Sequence, residues 1–162
     1  MVALPVALLA GLAMLWGFGA FSRPDTGPVE MATRELGPEV AQVCRSVVAD
    51  LPDTVAGSAR RPVTAGPEQN AAYGDPPVTL ACGTSRPTVE NTATVYPLSG
   101  VCWFAEPGPD GAVWTTVDRE VPVTVTVPGP ADGSAQTVIA FSAAVGANDP
   151  VRAAGTPTGC TA

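Results

Sequence analysis

The chain opens on an apolar run, and the patterning changes character three times after it. Val2 to Phe21 is almost wholly apolar, and no charged side chain occurs from Met1 to Ser22. At about 1.5 Å rise per residue, such a run spans roughly 30 Å as a helix, the thickness of a bilayer's hydrocarbon core. Residues 1–22 are therefore expected to form a transmembrane anchor. The competing reading is a cleaved signal peptide. It is disfavoured by the absence of a basic n-region and by poor small-x-small sites around Gly17-Phe18-Gly19 and Ala20-Phe21-Ser22. Small residues recur at four-residue spacing in Ala3, Ala7 and Gly11, and again in Ala13 and Gly17. Stripes of this kind let helices approach closely inside a membrane.

Residues 23–37 are polar and interrupted by Pro and Gly, which reads as a tether. Beyond it, Val40, Cys44, Val47 and Leu51 fall at i, i+4, i+7 and i+11, widened by Val43 and Val48. This spacing predicts a helix from Pro38, a residue suited to a first helical turn, to Leu51, with Pro52 ending it. The period then drops towards two. Val78–Cys82 reads as a strand, and Thr94–Leu98 with Val101–Ala105 reads as a hairpin across Ser99-Gly100. Glu106–Gly111 reads as a turn, followed by a strand over Ala112–Val117. Val121, Val123, Val125 and Val127 alternate with Pro122, Thr124 and Thr126, and Pro122 assigns that strand to an edge or a bulge. A second helix is expected from Asp132 or Ser134 to Ala147, with Val138, Phe141 and Val145 on its apolar face. The expected fold is α+β: an N-terminal transmembrane helix, then over 38–162 a small antiparallel sheet with two helices packed on one face.

The 162 residues contain four cysteines, no histidine and no lysine. Cys44, Cys82, Cys102 and Cys160 are far apart, whereas structural zinc draws its thiolates from close pairs. An even count behind an export segment predicts two disulfides and an oxidising, extracytoplasmic compartment. The cysteines also set the orientation, because the single flanking charge, Arg23, would by itself favour the opposite one. Three pairings are open. Cys44 lies on the buried face of the first helix, where a bridge would pin helix to sheet, and a bridge from Cys160 would staple the tail.

A net charge of −7 argues against nucleic acid as a partner and against adhesion to anionic lipid. The lipid bilayer is instead engaged through the N-terminal helix. Catalysis is not expected and no cofactor is implied. Histidine is unavailable as a base, no G-x-S-x-G elbow occurs, and nothing points to a catalytic pair among the carboxylates of Asp50, Asp53, Asp75, Asp110, Asp118 and Glu120. Two stretches could carry recognition. Arg60-Arg61-Pro62 offers a fork for carboxylate or phosphate, against a structural reading in which one arginine bonds the loop near Asp75. Tyr73-Gly74-Asp75-Pro76-Pro77 offers a recognition loop, against a rigid turn that launches a strand. Trp103, Phe104 and Trp114 are expected mostly in the core.

Several words in order carry a resemblance. Cys44-Arg45, Leu51-Pro52-Asp53-Thr54, Ala59-Arg60-Arg61-Pro62-Val63, Tyr73 to Val78, Leu80-Ala81-Cys82-Gly83, Gly100 to Phe104 and Trp114 to Arg119 resemble an actinobacterial family of exported or membrane-anchored domains of unknown function. The resemblance implies Cys44–Cys82 as one bridge and Cys102–Cys160 as an optional second; it lends no activity. The leading expectation is a non-catalytic accessory subunit whose partners are integral membrane proteins. By analogy alone, the cytochrome bcc–aa3 respiratory supercomplex is the first assembly to consider. The alternative is a free-standing envelope domain binding a glycan, lipid or cell-wall precursor through Arg60, Arg61, Tyr73 and Asp75.

Overall fold

The structure is a computed structural model that describes residues 24–90, 92–157 and 159–160. The apolar run, with Ala3, Ala7, Gly11, Ala13 and Gly17, lies outside the described residues. Among the described residues, no helix is long and apolar enough to cross a membrane.

Helix α1 spans Pro38–Ala49, with Pro38 in its first turn as the sequence implies, and it stops two residues before Leu51. Eight strands follow: β1 Thr54–Val55, β2 Ser58–Arg61, β3 Asn70–Tyr73, β4 Val78–Cys82, β5 Val95–Leu98, β6 Val101–Gly108, β7 Gly111–Thr116 and β8 Val123–Pro128. Helix α2, Ser134–Asn148, closes the order. The strands form one sheet in the order β1-β2-β3-β4-β8-β7-β6-β5, antiparallel throughout. Two four-stranded meanders are thus joined at their last strands, β4 and β8.

One expectation is corrected here. The strand containing Pro122 is neither an edge nor bulged; β8 is central, between β4 and β7. Proline is excluded from a ladder because it lacks an N–H, but the ladder begins one residue later, where Val123 faces Cys82. Pro122 keeps its carbonyl, which accepts from the Gly83 and Thr84 amides at 2.9 and 3.1 Å. The Glu106–Gly111 turn is also tighter than its composition suggests. β6 runs to Gly108, which pairs with Gly111, where the backbone φ of +152° and the nearby Val127 carbonyl leave no room for a Cβ.

Both helices cover one face. Leu80, Cys82, Val123, Val125, Trp114 and Trp103 alternate onto that face and are buried with Val47, Val138, Phe141 and Val145 of the helices. Such burial supplies the main folding drive, at roughly 25 cal/mol per Å² of apolar surface. The tryptophans also have polar ends to satisfy. Trp103 Nε1 donates to Ser142 Oγ at 3.1 Å, and Trp114 Nε1 to Ser134 Oγ at 3.0 Å, fixing the setting of α2 on the sheet. Ser134 thus serves the tryptophan and the Ala131 carbonyl rather than capping α2, whose N-cap is Gly133.

Both disulfides form: Cys44–Cys82 ties α1 to β4, and Cys102–Cys160 ties the tail to β6. The pairing implied by the family resemblance is the one observed.

Candidate functional site

Three of the four residues singled out for binding meet at one end of the sheet. Arg60 and Arg61 end β2, and Asp75 follows β3, which pairs with β2 through Arg60–Tyr73 and Arg61–Ala72. Together with Pro24, Asp25 and Gly57 they line a surface cavity of about 340 Å³. Alternation splits the two arginines between faces.

Arg61, only 9% exposed, turns to the face opposite the helices. Its Nε and Nη2 donate to the Gly27 carbonyl at 3.0 and 2.8 Å, and Nη1 donates to the Gly74 carbonyl at 2.8 Å. Nη2 also donates to Asp25 Oδ2 at 2.8 Å. The Gly27 amide and the Arg61 guanidinium together hold the Asp25 carboxyl below the usual carboxylate range. Arg60, on the helix side, donates through Nη1 to the Val48 carbonyl at 3.1 Å, near the end of α1. The guanidinium of Arg61 is therefore a clamp on the chain's own backbone.

Tyr73 does not join this cavity. It is fully buried, its ring lies edge-on to Phe141 with centroids 5.8 Å apart, and its hydroxyl donates to the Pro52 carbonyl at 2.8 Å. Burial pushes the phenol's pKa up.

What the clamp holds is the segment expected as a tether. Residues 24–36 have almost no regular structure, yet they are laid along the sheet. Val29 forms a parallel bridge with Val63. Asp75 Oδ2 accepts from the Asp25 amide at 2.8 Å, and Asn70 Nδ2 donates to the Ala32 carbonyl at 3.0 Å. Gln69 and Arg34 exchange a pair of bonds at 2.9 and 3.1 Å. Fixation begins one residue into the described chain.

A second charged constellation, which sequence reasoning missed, lies past the other end of β4. Arg119 is buried beside Asp118, with Nε–Oδ1 at 3.4 Å, and donates to the carbonyls of Asp149 and Gly100. Asp149 is 1% exposed; its Oδ1 accepts from the Val121 amide at 3.1 Å, while Oδ2 has no partner. Burial raises the Asp149 pKa to about 6, opposed by the Val121 amide and by Arg119. Arg86 reaches in from the segment between β4 and β5, donating through Nη2 to the Arg119 and Glu120 carbonyls at 2.8 and 3.0 Å. The only signal for this cluster in sequence was the charge-dense Asp118-Arg119-Glu120 run itself.

The fold defines a class: an antiparallel sheet with two helices on one face, closed by two disulfides, with residues 24–36 clamped to the opposite face. The chain belongs to the DUF3515 family of proteins of unknown function, whose family model matches residues 2–154. The match takes in the apolar run and stops short of Cys160. No curated protein and no solved structure matches the chain.

Proposed function

We propose that this chain is a non-catalytic, membrane-anchored accessory subunit whose domain rests on the extracytoplasmic face of integral membrane partners. In this reading the apolar run is a retained membrane helix, and its Ala3/Ala7/Gly11 stripe packs against a partner helix. The observation that carries it is the fixation of residues 24–36. Asp25 is locked to Arg61 and Asp75 only four residues along the chain from Phe21, the last residue of the apolar run, which leaves little chain for a free linker. A domain meant to search the envelope on its own benefits from slack; one meant to seat at a set height and orientation on a neighbour does not. Two disulfides support the oxidising side of the membrane. The commitment of Arg61 to internal carbonyls supports a structural rather than a ligand-binding use of that arginine.

The test is purification of the tagged full chain in mild detergent, with mass spectrometry of what co-migrates. Stoichiometric membrane subunits are expected, with those of the cytochrome bcc–aa3 assembly as the first to look for. Recovery as a monomer alone would overturn the reading. Intact mass adds a check, since loss of the N-terminal segment would mean a cleaved signal peptide rather than an anchor.

A further inference from the structure

We propose that a cavity between the β4–β5 connection and the C-terminal tail is an oxyanion-binding site, taking a phosphate or carboxylate group on a partly apolar molecule. The cavity measures about 320 Å³, within the range of small-ligand sites. Arg86 stands on one wall, and Arg152 with Thr156 on the other, with Pro87, Val89 and Val117 among the apolar lining.

Three observations converge on an anion. Among the described residues the ion pairs are Arg61–Asp25 and Arg119–Asp118, so neither Arg86 nor Arg152 is matched to a carboxylate. The two guanidiniums sit close enough that Arg152, after burial itself, lowers the pKa of Arg86, partly offset by Glu120 and Asp149. Glu90 also lines the cavity, without pairing to either arginine. At Arg86, burial and the second guanidinium thus outweigh the support of Glu120 and Asp149, a balance that a bound anion would redress. Finally, Arg86 Nη1 is buried without any partner, while Nη2 is anchored on two carbonyls. A guanidinium anchored through Nη2 with Nη1 unsatisfied keeps donor capacity for a planar or tetrahedral oxyanion, which a small side-chain adjustment would bring into use.

Arg152 is held in place as well. Its amide donates to the Asp118 carbonyl at 2.9 Å and its Nη1 to the Gly155 carbonyl at 3.1 Å. The guanidinium lies over Gly155, where a Cβ would approach Nη2 to 2.8 Å. The tail that carries this wall is stapled to β6 by Cys102–Cys160, so the cavity depends on the oxidised state.

The cavity lies past the Cys82 end of β4, and the clamp on Asp25 lies past the Val78 end, a separation of five residues or roughly 17 Å of strand. The ligand is therefore a soluble or wall-borne oxyanion rather than a headgroup of the anchoring bilayer; this last step alone rests on the anchor reading.

The experiment is thermal unfolding of the oxidised full chain in neutral detergent, titrated with inorganic phosphate or acetate against chloride at matched ionic strength. Ligand-linked stabilisation is expected to saturate. In R152Q and R86K, each compared with its own ligand-free melt, half-saturation should require at least about tenfold more anion, the loss expected for charge-assisted bonds. R45Q, which removes an exposed arginine from α1, should titrate as the parent. Equal titration of R152Q, R86K and the parent would mean an adventitious ion only and would overturn the site. A second arm replaces phosphatidylcholine with phosphatidylglycerol in vesicles carrying the chain. An Arg152-dependent rise there, without added phosphate, would overturn the assignment to a soluble or wall-borne anion while leaving the site itself.

Discussion

The two disulfides close loops of similar size but should contribute very differently to stability. In the chain-entropy description, sequence separations of 38 and 58 residues each remove about 4 kcal/mol of unfolded-state freedom at 25 °C. That figure translates into stability only where the native state stays ordered after the bridge is cut. Around Cys44–Cys82 it does. Both cysteines are fully buried, one in the middle of α1 and one at the end of a central strand, among Val47, Leu80 and Val123. Double substitution C44A/C82A should therefore lose about 4 kcal/mol from chain entropy, and about 1 kcal/mol more from the cavity left behind. Against a typical total of 5–15 kcal/mol, the domain approaches unfolding. Around Cys102–Cys160 the native state loosens as well. Beyond Arg152, among the described residues, the hydrogen bond reaching out of the tail is Ala153 N–H to Glu120 Oε1 at 3.3 Å, while those of Arg152 Nη1 to Gly155 and Cys160 to Pro157 stay within it. Freed, the tail gains entropy in both states, and the net loss for C102A/C160A should be about 1–2 kcal/mol. Urea unfolding followed by the fluorescence of Trp103 and Trp114 measures both variants. A C102A/C160A variant as unstable as C44A/C82A would refute the reasoning.

Arg61→Ala strands the Gly27 and Gly74 carbonyls; three backbone-directed bonds put the loss at about 2–3 kcal/mol, with nothing counted for the exposed Asp25. Limited proteolysis should then cut within residues 24–36, and unchanged resistance there would show that the clamp does not hold the segment. For Asp149 the folded pKa is raised, to about 6, so its contribution to stability is complete below the ordinary carboxylate range and lost as pH rises through 6. Asp149→Asn keeps an acceptor for the Val121 amide and removes the titration. The parent should lose roughly 3 kcal/mol at most relative to the variant between pH 4 and pH 7, read from paired urea midpoints. Parallel curves for the two proteins would contradict the assignment.

Half the fold could be read from the chain because half of it has one wet face. Helix α1 and the valine alternation of β8 each bury one face, so period and burial agree; the β5–β6 hairpin is marked instead by its Ser99-Gly100 turn, since Val101, Cys102 and Trp103 are all buried. β3 could not be read this way. Asn70, Ala71, Ala72 and Tyr73 are buried on both faces, because residues 24–36 cover the side that the helices leave open, and no alternation survives. The same covering hid the role of Arg61, whose partner Asp25 lies 36 residues away in a stretch whose composition reads only as linker. Arg60-Arg61 stands out in the sequence as a charged pair, but which arginine is spent internally depends on strand register, which puts Arg61 opposite Ala72. Arg86 and Arg152 belong to a loop and a tail without periodicity, and only the path of the chain and the Cys102–Cys160 bridge bring them to one cavity.

The Cys44–Cys82 bridge also has a mechanical consequence. A pull on the N-terminal end would first meet Arg61 and the Val29–Val63 bridge, where residue 29 lies parallel to its neighbour and must slide rather than unzip. Once that gave way, the tension would run along the start of α1 to Cys44 and cross covalently to Cys82, bypassing β1, β2 and β3. Those three strands lie in a shielded loop that cannot be drawn out while the bridge is intact. The oxidised domain can thus lose its grip on the leading segment under strain and recover it, without the meander that bears Arg61 having come apart.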